Sequence, residues 1–335
     1  MNIKSSGVIF VLVMVLACAG LLLSMFLAVS YGAKALTMGT VWTAVVQYDP
    51  SLTAHQIIHE LRLPRVLAAA VVGAGFAVAG ALMQGVTRNP LADAGILGIN
   101  AGAMFVVALS FAIMPNLPYT ALIGLSFLGA VLSTLFIFAL GSSGPGGLTP
   151  LRLTIAGAVV AALLHSLSTG IAIYYNLSQD LAFWYAGGVA GVKWFHLQLL
   201  APVILSAIVL AVLLGRPISL VALGDETAAG LGIKTKRVRL LGIALAVLLA
   251  GVAVSAVGSI GFVGLVIPHI ARRLVGVDYR FIIPVSALLG GLLLVLADLC
   301  ARMVNPPKEL AIGVMVAMVG VPFFLYLARK ERRAL

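Results

Sequence analysis

Ten long apolar stretches, each closed by a short polar or glycine-rich connection, follow one another along the chain. They cover residues 7–30, 63–86, 93–113, 119–140, 152–175, 196–214, 240–257, 260–275, 282–301 and 310–328. Roughly 20 apolar residues cross a bilayer as a helix. The pattern therefore predicts an all-α, polytopic membrane protein of about ten transmembrane helices, forming a single domain over residues 1–335. The seventh and eighth stretches are divided only by Gly258 and Ser259, the weakest boundary of the ten. The first begins after Lys4, and Val15-Leu16-Ala17-Cys18 resembles a lipoprotein cleavage site. Its apolar run continues to Val29, longer than the core of a signal peptide, so it reads as a retained span.

Composition agrees with the pattern. Of the 335 residues 62% are hydrophobic and 9% charged, against about 25% charged in a soluble domain, and mean hydropathy is +1.17. So little charge cannot wet a soluble surface, which excludes a soluble enzyme, a nucleic-acid-binding domain and a disordered scaffold. Two cysteines in apolar runs, Cys18 and Cys300, make no disulfide framework and no metal-ligand spacing.

The net charge of +11 is mostly topology. With the N-terminus inside, fifteen Lys and Arg, among them Arg332 and Arg333, fall on the inner side and six on the outer. The positive-inside rule then places both termini in the cytoplasm, which requires an even number of spans. The six outer cations are Lys34, Arg62, Arg65, Lys193, Arg302 and Lys308.

Small residues recur at helical spacing, with Gly73, Ala77, Ala81 and Gly85 in the second stretch and Gly242, Ala246, Ala250 and Gly258 in the seventh. Such faces let helix backbones approach closely in lipid. Spans 2–5 and 7–10 run in opposite senses, so an inverted repeat is geometrically possible.

Ionisable residues are scarce inside the stretches. Asp93 and Asp298 lie near span ends, and His165, alone in the fifth span, reads first as a packing residue. No catalytic constellation appears, and Gly232-Ile233-Lys234-Thr235 lacks the Gly-Lys-Thr adjacency of a phosphate-binding loop. An ion-coupled transporter would place a carboxylate near the midplane. Transport energy is therefore expected from another chain, and this one is not expected to be an enzyme.

The longest internal hydrophilic segment is 216–239, on the predicted cytoplasmic side. Gly224 to Gly232 reads as a short helix with Asp225 and Glu226 at its N-terminal end, where acidic groups suit the dipole. A basic run, Lys234 to Arg239, follows. Two readings stand: a solvated connector, or a docking helix for a soluble partner.

Several motifs resemble one family along essentially the whole chain. They are Leu61-Arg62-Leu63-Pro64-Arg65, Gly80-Ala81-Leu82-Met83-Gln84, Asn89-Pro90-Leu91-Ala92-Asp93, Gly261-Phe262-Val263-Gly264-Leu265-Val266-Ile267-Pro268-His269, Leu296-Ala297-Asp298 and Glu309-Leu310-Ala311-Ile312-Gly313. Together they resemble the FecCD family of ABC-importer permeases for iron(III)-siderophores, haem and vitamin B12. The resemblance implies ten helices, pairing with a second permease subunit around a shared pathway, and no cofactor. It implies two cytoplasmic ATPase subunits docked on a segment that matches Leu223, Gly224, Asp225, Glu226, Ala229, Gly232 and Arg237. It also implies an extracellular binding protein docked through acidic residues on Arg62, Arg65 and Arg302. Arginine suits that task because its planar fork pairs bidentately with carboxylates. Gln84, Asn100 and His165 are the polar candidates for facing the pathway. Thr149-Pro150-Leu151-Arg152 departs from the hydroxyl-bearing gate of the B12 importer, so no gate is assigned there. The expected function is translocation of an iron(III)-siderophore across the bacterial cytoplasmic membrane. Haem or vitamin B12 is the alternative cargo, and a secondary transporter or channel the alternative class.

Overall fold

A computed structural model of the chain describes residues 3–32, 36–143, 150–306 and 308–331. Lys34, Thr149, Arg332 and Arg333 lie outside these. The described residues are helical, with no strand among them. Each of the ten predicted stretches contains a helix, and shorter helices occupy the connections.

α1 (Ile3–Ser30) is apolar all round and leads to a short α2 (Met38–Val46), whose first turn is capped by Thr37 Oγ1 accepting from Thr40 N–H at 3.2 Å. α3 (Thr53–Gln56) continues through a π-helical turn, Ile57–Arg62, into α4 (Leu63–Thr87). The widened turn sits next to Pro64. A proline has no N–H to give and crowds the carbonyl four residues back, and Leu63 N–H reaches to Ile58 O instead. α4 ends at Arg88, which takes a left-handed backbone (φ 54°). A 3-10 turn capped by Asp93 and reversed at Gly98 (φ +70°) then opens α5 (Ile99–Ile113).

α6 (Tyr119–Ser142), α7 (Pro150–Tyr174), α8 (Ser178–Ala186), α9 (Trp194–Leu213), α10 (Gly215–Leu223) and α11 (Asp225–Gly230) follow. The last four are α12 (Thr235–Val257), α13 (Val263–Val275), α14 (Tyr279–Met303) and α15 (Ile312–Glu331). The thin boundary between the seventh and eighth stretches is a true break, because Gly258 (φ +78°) and Phe262 (φ +68°) both leave helical geometry.

Among the described residues, seven helical segments are long and apolar enough to cross a membrane. α5 and α15 are apolar but shorter, and α13 has 13 residues, about 20 Å at 1.5 Å per residue.

α4 is the central helix. In its most apolar window 83% of positions are buried, against 11% in α1. A uniformly apolar, exposed helix such as α1 is at home only in lipid. α4 is surrounded by α9, α12, α13 and α14, and small residues make that possible. A Cβ on Gly73 would fall on the Gly290 carbonyl of α14, and one on Gly80 on the Gly264 backbone of α13. In α12, Gly242 faces Val86 of α4, and Ala246 and Ala250 are buried. Gly258 is not part of that face: it is the C-cap turn, set against the Trp184 carbonyl.

Candidate functional site

The polar chemistry collects at the two ends of α4, roughly 37 Å apart for 25 residues at 1.5 Å each.

At the end where α4 begins, Arg62, Arg65 and Arg302 come together, and all three turn inward. Arg62 is 7% exposed and donates through Nη1 to Val29 O at 2.6 Å and Ser30 O at 3.0 Å. Arg302 is 5% exposed and donates to Ala28 O at 3.0 Å and Tyr31 O at 3.1 Å. These carbonyls close α1, where a helix leaves acceptors without N–H partners and carries partial negative charge. Two guanidiniums thus cap α1. Arg65 forks onto Asp298, with Nε to Oδ1 at 3.0 Å and Nη2 to Oδ1 at 2.8 Å, and also reaches Glu309 at 2.9 Å. Asp298, fully buried, pairs with Arg302 as well, at 3.1 Å. The resemblance gave the three arginines one docking role, and their carboxylates were not foreseen. The signal was the pair of acidic residues, Asp298 and Glu309, closest in sequence to Arg302.

Beside Arg65 and Glu309 opens a cavity of about 430 Å³, lined by Tyr119 and Trp184 and by the small residues 186–191 between α8 and α9. Backbone bonds fix this linker to its neighbours. Gly188 N–H donates to Val257 O at 2.8 Å, Ile312 N–H to Gly187 O at 3.2 Å, and Ser259 N–H to Trp184 O at 3.2 Å. Tyr119 donates to Ala256 O at 2.5 Å. A run of glycine and alanine is what lets four helix ends meet here, since a Cβ on Gly187 would crowd Ser259 and Ile260.

At the other end, α10 lies on α4 and α14 through Ile218 and Val221, both buried. Gly224 (φ +132°) has a backbone only glycine adopts without strain, and α11 starts at the next residue. Asp225 in the first turn of α11 accepts from Arg239 at 2.9 Å and from Arg88 at 3.1 Å, tying the segment to α12 and α4. Gly232 (φ +78°) turns the chain into α12. Leu223, Glu226, Ala229, Leu231 and Arg237 stay exposed. The predicted short helix is present, anchored by Asp225 and the buried Ala228 and open at Glu226, Thr227 and Ala229.

Of the three polar pathway candidates, Gln84 joins α4 to α13, and Asn100 joins α5 to the break between α12 and α13. Gln84 is 2% exposed; its Nε2 donates to Gly264 O at 3.1 Å and its Oε1 accepts from Arg272 at 3.1 Å. Asn100 donates to Ser259 Oγ at 2.9 Å. His165 is exposed on α7, edge-on to Tyr185 at 5.5 Å. The structure does not bring the three together.

Beside Arg272, Asp278 precedes α14. Burial pushes its carboxyl upward, but hydrogen bonds from the Arg280 side chain and backbone and from Ser219 outweigh that and hold it below the usual carboxylate value.

Comparison with known proteins places this arrangement. The iron(3+)-hydroxamate import system permease protein FhuB of Bacillus subtilis is 50% identical over 325 residues, spanning 97% of this chain and 85% of that protein. The ferric enterobactin transport system permease protein FepD of Escherichia coli is 38% identical over 323 residues, 95% of this chain and 96% of that protein. A metal-chelate type ABC transporter solved in an inward-facing conformation superposes with a TM-score of 0.83 at 28% identity, covering 95% of this chain and 98% of that one. The FecCD transport family matches residues 20–330. With the motifs, the helical order and the two polar ends all falling within that match, the chain belongs to the FecCD transport family.

Proposed function

We propose that this protein is the membrane permease subunit of an ABC importer that carries an iron(III)-siderophore of the hydroxamate class into the bacterial cytoplasm. The observation that carries the reading is the 50% identity, along 97% of the chain, to an iron(3+)-hydroxamate permease. Iron enters as cargo within its chelate. In this reading all ten predicted helices cross the membrane, with both termini in the cytoplasm and the basic residues of 216–239 on the inner side. The inverted repeat of spans 2–5 and 7–10 is supported by exchanged packing: α4 lies on α14, and α12, its counterpart, lies on α6, the counterpart of α14. Two such permease subunits, identical or homologous, enclose the pathway.

Two ATPase subunits supply the energy, and each docks on Leu223 to Arg237. The exposed faces of α11 and its flanking leucines, beside an ion-paired Asp225, support a rigid lever better than a free connector. In an Asp225→Ala variant α11 loses both tethers. Uptake is expected to fall about tenfold, within the range of coupling between sites, while the ATPases continue to hydrolyse ATP. Equal loss of both activities, or of neither, would count against the lever.

An extracellular binding protein docks at the opposite end. Arg65 is the contact an external carboxylate can share, because its partner Glu309 is exposed, whereas Arg62 and Arg302 serve that surface by holding α1 and Asp298 in place. Arg65→Glu is expected to weaken association of the binding protein about tenfold or more through like-charge repulsion. Glu309→Gln, which keeps the guanidinium, should not weaken it. Unchanged affinity in Arg65→Glu would remove the docking role.

The test of the whole reading is uptake of labelled iron(III)-hydroxamate into proteoliposomes holding the permease, its ATPases and the binding protein. Uptake should require ATP and all three components. Uptake that persists without the ATPases would overturn the importer, and uptake of haem in place of the hydroxamate would change the cargo.

A further inference from the structure

The inner ends of α4, α10, α13 and α14 enclose a second cavity, of about 620 Å³, with four arginines in its wall. Two are paired with carboxylates: Arg280 with Asp278 at 2.6 Å, and Arg88 with Asp225, which Arg239 shares, at 3.1 Å. Two are not. Arg272 is half-buried, and its Nη2 donates to Gln84 Oε1 and to the Tyr279 hydroxyl, each at 3.1 Å and each uncharged. Arg216, in the first turn of α10, has no carboxylate within ion-pair distance among the described residues. Arg272, half-buried among neutral partners, gains from an anion that offsets its lost hydration, and Arg216, exposed and without a carboxylate, is free to share that anion.

We infer that this cavity binds the phosphate of an anionic phospholipid headgroup from the inner leaflet, with Arg216 and Arg272 as its ligands. A guanidinium fork matches phosphate oxygens, and basic pockets between helices on the cytoplasmic side suit acidic headgroups. A lipid is favoured over a free anion by the apolar part of the wall. Leu220, Ala222 and Val277 line the same cavity, Val277 being 73% exposed, and give acyl chains an apolar surface that inorganic phosphate would not use. The site also touches the lever, because α10 supplies Arg216, Ser219 and Leu223 to the wall and is separated from α11 by Gly224 alone. A bound headgroup would brace the base of the segment on which the ATPases are proposed to act. The binding claim itself needs only a membrane protein and stands apart from the identity of the cargo.

The experiment is native mass spectrometry of the purified full-length chain titrated with phosphatidylglycerol or phosphatidylcholine. One phosphatidylglycerol is expected to bind at least about tenfold more tightly than phosphatidylcholine. Arg216→Gln with Arg272→Gln should weaken it roughly thirtyfold, and Arg216→Gln alone, an exposed change that leaves the packing intact, about fivefold. Arg273→Gln, outside the cavity, should leave it unchanged. Equal binding of the two lipids, or unchanged affinity in both Arg216 variants, would overturn the site. Displacement of the lipid by millimolar inorganic phosphate would assign a free anion instead. Loss of the lipid on assembly with the ATPases would assign an acidic side chain of the partner; either result overturns the lipid.

Discussion

Replacing Asp298 with alanine is expected to cost roughly 3–5 kcal/mol of stability, the range for removing one partner of a buried ion pair. Asp298 is fully buried and holds two guanidiniums at once, Arg65 at 2.8 Å and Arg302 at 3.1 Å. Without it, Arg302 keeps only the neutral carbonyls of α1 and its own helix, and Arg65 keeps Glu309. The loss should be read as an earlier transition when the purified protein is titrated with SDS against a mild detergent. Asp298→Asn, which keeps volume and an acceptor, should fall between wild type and alanine. Adding Arg302→Met to Asp298→Ala should recover part of the loss, because replacing a whole buried pair costs far less than breaking it. An alanine variant that unfolds with wild type would mean that the arginines are solvated, and the inward-turned cluster would be wrong.

Gly80→Ala should be the most damaging single methyl in the bundle. Its Cβ would sit on the Gly264 backbone, where no side chain can swing aside. Overpacking costs about 1–3 kcal/mol and occasionally more, and backbone against backbone belongs at or above the top of that range, since α4 and α13 must separate. Gly124→Ala on α6 is the control. No atom lies within 4 Å of a Cβ there, so the change should be neutral or gain up to about 1 kcal/mol of helix propensity. The same SDS titration and the yield of monodisperse protein separate the two. Similar behaviour of both variants would show that α4 and α13 do not cross at Gly80.

Much of the fold was legible because lipid leaves the backbone few choices. A stretch of 20 or more apolar residues must satisfy its own hydrogen bonds, and the helix does so. The boundaries of α6, α7, α9 and α14 follow to within three residues, whereas α12 starts five residues early because its basic first turns, Lys236 to Arg239, are helical. The small-residue series in the second stretch marked the central helix, although Gly80, off that series, makes the tightest crossing with α13. The reading of Gly258 as part of the α12 face failed because spacing cannot tell a face residue from a cap. The short helix at Asp225–Gly230 was legible from its flanking glycines and acidic first turn, and its tether to Arg88 was not, being 137 residues away.

The arginines show where local reasoning ends. A basic residue at a span end is compatible with anchoring, docking or internal pairing, and the three look alike in one dimension. Arg65 meets a carboxylate 233 residues distant, and Arg62 meets carbonyls 32 and 33 residues before it. What the sequence determined alone was the solvent, the helices, the approximate spans and the scarcity of charge within them, all properties of short windows governed by hydropathy and backbone hydrogen bonding. Only the tertiary structure decided which charges are spent inside the protein and which remain to meet something else. Pairing a charge depends on distances of about 3 Å between helices far apart in the chain, and no local pattern encodes those.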